Sequence, residues 1–338
     1  MNELHHHTAP FGQEASPRAD KVTHWVIDET HADQRIDNFL LKLAKGVPKS
    51  HIYRILRSGE VRVNRGRVDA TYRLCVGDMV RLPPLRLAVR QTTVIPPALE
   101  FPILYEDESL LVIDKPAGVA VHGGSGVSYG VIEQLRRARP QAKFLELVHR
   151  LDRETSGILL LAKKRLALVA LHEQMRNGEV DKRYLACVSG VFPQVREHLK
   201  FPLLKYHTQE GERRVRVQED GQYAHTVVKR LEIFKQFSLL EAQLKTGRTH
   251  QIRVHLAHYG YPIVGDDKYG DFALNRELTK ARASLGFRRM FLRAHRIGLQ
   301  HPSHGGLLEL EAPLSSACQT FLHHIRAEDE RCQNGHLT

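Results

Sequence analysis

Cysteine is scarce and scattered in this 338-residue chain: Cys75, Cys187, Cys318 and Cys332 stand apart, with no C-x-x-C pair. That spacing argues against a disulfide framework and a cysteine zinc site, and leaves four reduced thiols as the expectation. Long apolar runs are also missing. No window reaches the about 20 residues that a membrane-spanning helix needs. The first residues, with Glu3 and His5 to His7, contain no apolar signal segment. A cytoplasmic protein with no membrane partner is therefore expected. There is no phosphate-binding P-loop, and Gly123-Gly124-Ser125-Gly126 lacks the spacing of a dinucleotide loop, so it is expected to be a flexible loop and no cofactor is implied. His250, His255 and His258 suggest a metal only at first sight. The five-residue step from His250 to His255 puts those two on different helical faces, and no metal site is expected.

What is present points to a polyanion. Lys and Arg number 50 against 38 Asp and Glu, a formal charge of +12, and neutralising phosphates with such a surplus releases condensed counterions. Hydrophobic residues at 42% and charged residues at 26% are the balance of a folded globular chain, and its length suits two domains. Residues 1–30 are polar, carry Pro10, Gly12 and Pro17, and read as a disordered leader.

A compact helix-helix-strand unit is expected over 33–82. Ile36, Phe39, Leu40 and Leu43 recur at helical spacing behind Asp33 as a candidate N-cap, and Ser50 is placed to cap a second helix through Ile52, Tyr53, Ile55 and Leu56 to Gly59. Val61 and Val63 alternate with Arg62 before an Asn64-Arg65-Gly66 turn, and a further strand is expected near Met79 to Leu82. Between Arg35 and Arg67 there are nine Lys or Arg against two acids, which makes Lys49, Arg54, Arg57 and Arg62 candidates for a phosphate-binding face. The run R-I-D-x-F-L followed by P-K-S-x-I-Y-R-I-L-R-x-G-E-V-R-V-N resembles the S4 RNA-binding domain, which implies RNA recognition by shape and backbone. Pro83-Pro84 to Pro96-Pro97 reads as a linker over 83–98.

From 99 to 326 the pattern is that of an α+β domain with a large antiparallel or mixed sheet. Strand character is seen at Leu110 to Ile113, Ile158 to Ala162, Tyr184 to Ser189, Phe237 to Leu244 and Gly306 to Leu310, without the regular alternation of a doubly wound fold. Residues 327–338 are left as a tail with no assigned role.

Three segments carry chemistry. The first is His149-Arg150-Leu151-Asp152-Arg153-Glu154-Thr155-Ser156-Gly157, where the Asp152 carboxylate sits among cations before an apolar strand. The second is Lys182-Arg183-Tyr184-Leu185-Ala186. The third is Lys245-Thr246-Gly247-Arg248-Thr249-His250-Gln251-Ile252-Arg253. Together they resemble the RluA-type pseudouridine synthases, with Val112 to Gly118 similar to that family's entry strand and turn. The resemblance runs from about residue 33 to about 325 and implies isomerisation of uridine to pseudouridine in large-subunit ribosomal RNA, with no cofactor. It implies that Asp152 is the catalytic aspartate, that Tyr184 packs under the base and that Arg253 is the partner of Asp152. Attack at C1′, addition at C6 and a glycal-type intermediate stay open. Arg150 is associated by the resemblance with the flipped-out base, and equally reads as a charge partner for Asp152 or a phosphate. Arg248 and His250 are placed near the substrate. The segment Tyr206 to Tyr223, with Arg213, Arg214 and Arg216, reads either as a basic hairpin that touches RNA or as a solvated loop.

Other classes remain: an S4 RNA-binding regulator without activity, a synthase acting on transfer RNA, or a hydrolase using Asp152 and Glu154 as paired carboxylates. A monomer is expected.

Overall fold

The computed structural model describes residues 22–44, 46–85, 94–124, 127–280 and 287–334. The backbone divides into two compact units that are not contiguous in sequence: residues 124–146 and 162–169 group with the first hundred, and the remainder forms the second unit.

In the first unit the chain runs β1 (Thr23–Val26), α1 (Ile36–Leu43), α2 (Lys49–Arg57), β2 (Arg62–Val63) and β3 (Met79–Leu82), and the strands form an antiparallel sheet in the order β1-β3-β2. Helical spacing turns Ile36, Phe39 and Leu40 of α1 and Ile52, Ile55 and Leu56 of α2 into one core with Val61, Val63, Val80 and Leu82, each such side chain contributing about 1.5–3 kcal/mol on burial. Asp37, one of the two acids in this basic stretch, is buried and satisfied by Arg35 (2.6 Å), the Tyr53 hydroxyl (3.0 Å) and the Asn38 amide (2.7 Å).

Several expectations need correction here. The leader expected over 1–30 is not structureless throughout: Thr23–Val26 is a strand, because Trp25 packs edge-on against Phe39 and His31 while the backbone fills the free edge of β3. Residues 1–21 lie outside the described residues. Neither proposed cap is used. Asp33 sits in the left-handed region (φ 57°) and α1 starts after Arg35, whereas Pro48, whose ring fixes φ and which stands two residues before Ser50, occupies the N-cap of α2. Of the expected linker, residues 86–93 lie outside the described residues, and Leu85 is buried in the first unit's core.

The chain continues through β4 (Ile103–Glu106), β5 (Leu110–Lys115), α3 (Val131–Ala138), β6 (Glu146–Leu147), β7 (Ser156–Ala162), α4 (Arg165–Asn177), β8 (Asp181–Ser189), β9 (Arg196–Leu199), β10 (Leu203–His207), β11 (Arg213–Val217), β12 (Thr226–Ile233), β13 (Phe237–Leu244), α5 (Gln251–His258), α6 (Phe272–Lys280), β14 (Leu292–Gln300), β15 (Leu307–Glu311) and α7 (Ser316–Asn334). Ten strands make one sheet with the path β4-β5-β7-β14-β8-β13-β12-β9, to which β15 and β6 add at β14 and β7. It is mixed, β14 being parallel to β7 and antiparallel to β8. All seven residues of β7 are buried, which is why Ser156 to Ala162 reads as a continuous apolar run and not as an alternation. β10 and β11 pair as a separate hairpin over the basic segment.

Of the tail expected over 327–338, residues 327–334 are the end of α7, held by a two-pronged Arg326–Glu232 pair (2.8 and 2.6 Å) and by Asp329 accepting from the Lys235 amide, and 335–338 lie outside the described residues. Among the described residues no helix is long and apolar enough to cross a membrane.

Candidate active site

Asp152 lies in the loop between β6 and β7, and the first constraint on it is backbone. The Arg153 carbonyl, one residue on, accepts from the Gly118 amide (2.9 Å) and from Lys115 Nζ (3.0 Å), and Lys115 also donates to the carbonyls of Pro116 and Val119, both at 2.8 Å. The Lys115 side chain is fully buried. Burial lowers its pKa to about 7, opposed by the charges of Glu154, Asp152 and Asp114. Three carbonyls use all three ammonium hydrogens, so the entry-strand lysine ties the 116–119 turn to the Asp152 loop.

α5 supplies the partner groups. Its leading turn is organised by the buried Gln251, whose Oε1 accepts from the Thr246 hydroxyl (2.8 Å) and the Arg248 amide (2.9 Å) while Nε2 donates to the His225 carbonyl (3.1 Å) and Thr226 Oγ1 (3.0 Å). Next to it His250 takes a left-handed backbone (φ 54°), which brings Nε2 to 3.8 Å from Asp152 Oδ1, with Nδ1 2.8 Å from the Tyr269 hydroxyl. Burial, opposed by Asp152 and reinforced by Arg253 and Lys268, lowers the His250 pKa. His255 engages Thr226 Oγ1 and the Phe201 carbonyl with its two ring nitrogens and is turned away from His250.

Arg253 is 3% exposed and reaches Asp152 Oδ2 through Nη1 at 3.4 Å. The fork of the guanidinium goes elsewhere. Arg253 Nε and Nη2 meet Asp266 Oδ2 and Oδ1, each at 2.7 Å, with Asp267 at 3.3 Å from Nη2 and the Tyr269 ring beneath the guanidinium at 5.2 Å. Asp266 also accepts from the amides of Lys268 and Tyr269. Burial alone would raise its pKa, but the Arg253 hydrogen bonds and charge outweigh that and hold the carboxyl below its usual range. Arg253 is therefore a buried cation neutralised by Asp266, with one nitrogen left for Asp152.

Tyr184, on β8, is 7% exposed and faces the same space. Burial, then the Asp152 charge, raise its phenol well above the ordinary value, so it stays protonated across the working range.

These groups line a cleft of about 370 Å³ that includes Asp152, Tyr184, Arg253, Arg150, Arg248, His250, Leu292, Lys182 at the head of the second motif and two residues that sequence reasoning did not single out, Met175 and Arg176. Arg150 is exposed at its edge, and Arg248, also exposed, donates to the Tyr223 carbonyl at 3.1 Å. Glu154 is not part of the lining. Its carboxylate pairs with Arg153 (3.1 Å) and Arg289 (3.4 Å), which removes the carboxylate pair a glycoside hydrolase needs.

Asp266 and Tyr269 were also missed: Gly265-Asp266-Asp267-Lys268-Tyr269 reads as an ordinary polar turn, and only tertiary packing puts it under Arg253. In the first unit, Lys49, Arg54, Arg57 and Arg62 are all exposed, on the sides of α2 and β2 opposite the buried core residues.

The sequence pattern of RNA pseudouridylate synthases matches residues 109–258, and that of the S4 domain matches residues 34–80. A protein of Pasteurella multocida (strain Pm70), ribosomal large subunit pseudouridine synthase C, is 51% identical over 309 residues, covering 90% of this chain and 94% of that protein. The protein of the same name from Escherichia coli (strain K12) is 50% identical over 307 residues, 89% of this chain and 96% of its own. Among solved structures, human RNA pseudouridylate synthase domain containing 4 matches with a TM-score of 0.54 at 30% identity, covering 67% of this chain and 93% of that one.

Proposed function

This chain belongs to the RNA pseudouridine synthase family, and from that premise we propose that it converts specific uridines of large-subunit ribosomal RNA to pseudouridine, with Asp152 as the catalytic carboxylate. The observation that carries the assignment of the residue is the half-buried Asp152 facing a cleft between Tyr184 and the Asp266-anchored Arg253. The reaction moves C1′ of the ribose from N1 to C5 of the same base. Atoms and electrons balance without an oxidant, reductant or energy donor, so the reading includes no cofactor, and it takes the protein as a monomer.

The target uridine must leave its stack to reach a carboxylate that lines a cleft. Arg150, exposed at the rim and two residues from Asp152, is placed to fill the vacated space or to hold a phosphate beside it. The Tyr184 ring gives the base a flat apolar floor, and its neutral phenol can donate a hydrogen bond or relay a proton near C5. Asp152 then acts on the nucleotide while Arg253 Nη1 holds its orientation. Attack at C1′, addition at C6 and a glycal-type route all require the same carboxylate in this position. Arg248 and His250, just ahead of α5 and in the cleft lining, contact the RNA in this reading. Lys49, Arg54, Arg57 and Arg62 present an exposed cationic face suited to RNA backbone.

The test is pseudouridine mapping on unmodified large-subunit ribosomal RNA incubated with the protein or with Asp152→Asn, without added cofactor. Conversion of particular uridines by the wild type only, with RNA binding kept in the variant, is the expected result. Release of free uracil, or conversion undiminished in Asp152→Asn, would overturn it.

A further inference from the structure

One wall of the Asp152 cleft carries positive charge that no carboxylate among the described residues matches. Lys182 and Tyr184 are two apart on β8 and therefore share a face of the strand, and both line the cleft. Lys182 Nζ lies 3.7 Å from the Met175 sulfur. Met175 and Arg176 arrive from the last turn of α4, and Arg150 from the Asp152 loop. Among the described residues, neither Lys182, Arg150 nor Arg176 has a carboxylate within ion-pair distance. The neighbouring cations are treated differently: Arg183, on the other face of β8, pairs with Asp181 (2.8 Å) and Glu241 (3.1 Å), and Arg253 pairs with Asp266.

A partly buried ammonium without an anion is costly, and the cost is recovered when an anion docks. His149 beside it offers none. Its Nε2 accepts from the Leu160 amide at 3.2 Å, and burial together with the Lys182 charge holds its pKa at about 4, so the ring is neutral. The docking group is not uracil, which is neutral and would leave three cations uncompensated. It is also displaced from the base site, since Lys182 is about 7 Å along the strand from Tyr184.

The geometry points to a phosphodiester subsite on this wall, in which Lys182, with Arg150 and Arg176, grips a backbone phosphate flanking the flipped uridine and holds the nucleotide in register over Asp152. This rests on the pseudouridine synthase reading.

The experiment compares wild type, Lys182→Met, Lys182→Arg and Arg176→Gln in single-turnover conversion of an RNA carrying the target uridine. The same RNA is also made with one methylphosphonate at each flanking phosphate in turn. Wild-type conversion of the unmodified RNA tests the parent reading by itself. Lys182→Met keeps the apolar stem against Met175, and circular dichroism checks that it folds. For it the expected result is a rise in KM on the order of tenfold with the saturating rate within about twofold. Its log–log salt slope for RNA binding should be shallower by about one, with partial recovery in Lys182→Arg. Arg176→Gln should raise KM by a smaller factor. A neutral linkage at one flanking position should weaken the wild type to the level of Lys182→Met and leave that variant unchanged. The subsite is overturned if Lys182→Met lowers the saturating rate with KM and salt slope intact, which would place Lys182 on the base. It is equally overturned if every methylphosphonate weakens wild type and Lys182→Met by the same factor. If the wild type converts nothing while its salt slope still exceeds that of Lys182→Met by about one, the subsite stands and the substrate assignment falls.

Discussion

Arg253 is the residue on which the site's charge balance turns, because it is buried and committed to Asp266 before it reaches Asp152. Removing the Asp266 charge leaves a buried guanidinium without its principal anion. Asp266→Asn is expected to cost about 3–5 kcal/mol of stability, read from the midpoint of urea unfolding. It should also slow conversion by about a hundredfold through misplacement of Asp152, read in single turnover below the unfolding transition. A variant with unchanged stability would show that the pair is not what neutralises Arg253. Lys115 makes a pH-dependent prediction. Its folded pKa, about 7, lies below its unfolded value of about 10.4, so between those limits the unfolded chain binds more protons. Its contribution to stability therefore rises with pH across that window. Urea unfolding of wild type and Lys115→Met from pH 6 to 9 should show wild type gaining relative to the variant above pH 7, and a constant difference would refute it. The residue-level signals in the sequence pointed to Asp152, Tyr184 and Arg253, which share one cleft. They failed for Asp266 and Tyr269, whose turn has no distinguishing pattern and gains meaning only from what packs on it.

Among the elements, β7 and β14 form the parallel seam beside the Asp152 loop, and Gly157 makes their close approach possible. It has φ +106°, and a Cβ there would collide with the Ala294 carbonyl of β14. Gly157→Ala is expected to cost at least about 2 kcal/mol from backbone strain and the forced separation of the strands, measured by thermal or urea unfolding. A neutral substitution would mean that β14 shifts freely, which a central strand paired on both sides should not do. Element existence was legible where burial is one-sided or complete, as in α1, α2 and β13, whose expected limits Phe237 and Leu244 are those observed. Element ends were not. Helix starts depend on which local hydrogen bond or fixed dihedral wins, and Pro48 and Arg35 prevailed over Ser50 and Asp33. β1 was missed because four residues with half-buried alternation give little signal until β3 offers them an edge.

At the scale of the whole molecule the charge of +12 makes RNA affinity a function of salt. The exposed face of Lys49, Arg54, Arg57 and Arg62 predicts that replacing all four by Gln weakens RNA binding. The salt slope should fall by about three, since each phosphate contact contributes about 0.7–0.9, with the saturating conversion rate retained. A lost rate at saturating RNA would assign these residues to the chemistry instead. From the sequence alone came the basic character, the helix-helix-strand unit, the α+β pattern and the three motifs, because composition, hydrophobic period and short-range spacing are local quantities. Tertiary structure alone decided that Asp266 and not Asp152 takes the fork of Arg253, that Glu154 turns away to Arg289 and that Lys182 lines the cleft with no carboxylate among the described residues beside it. Those outcomes depend on which distant segments share a buried volume, where a charge must find a partner or remain open for one.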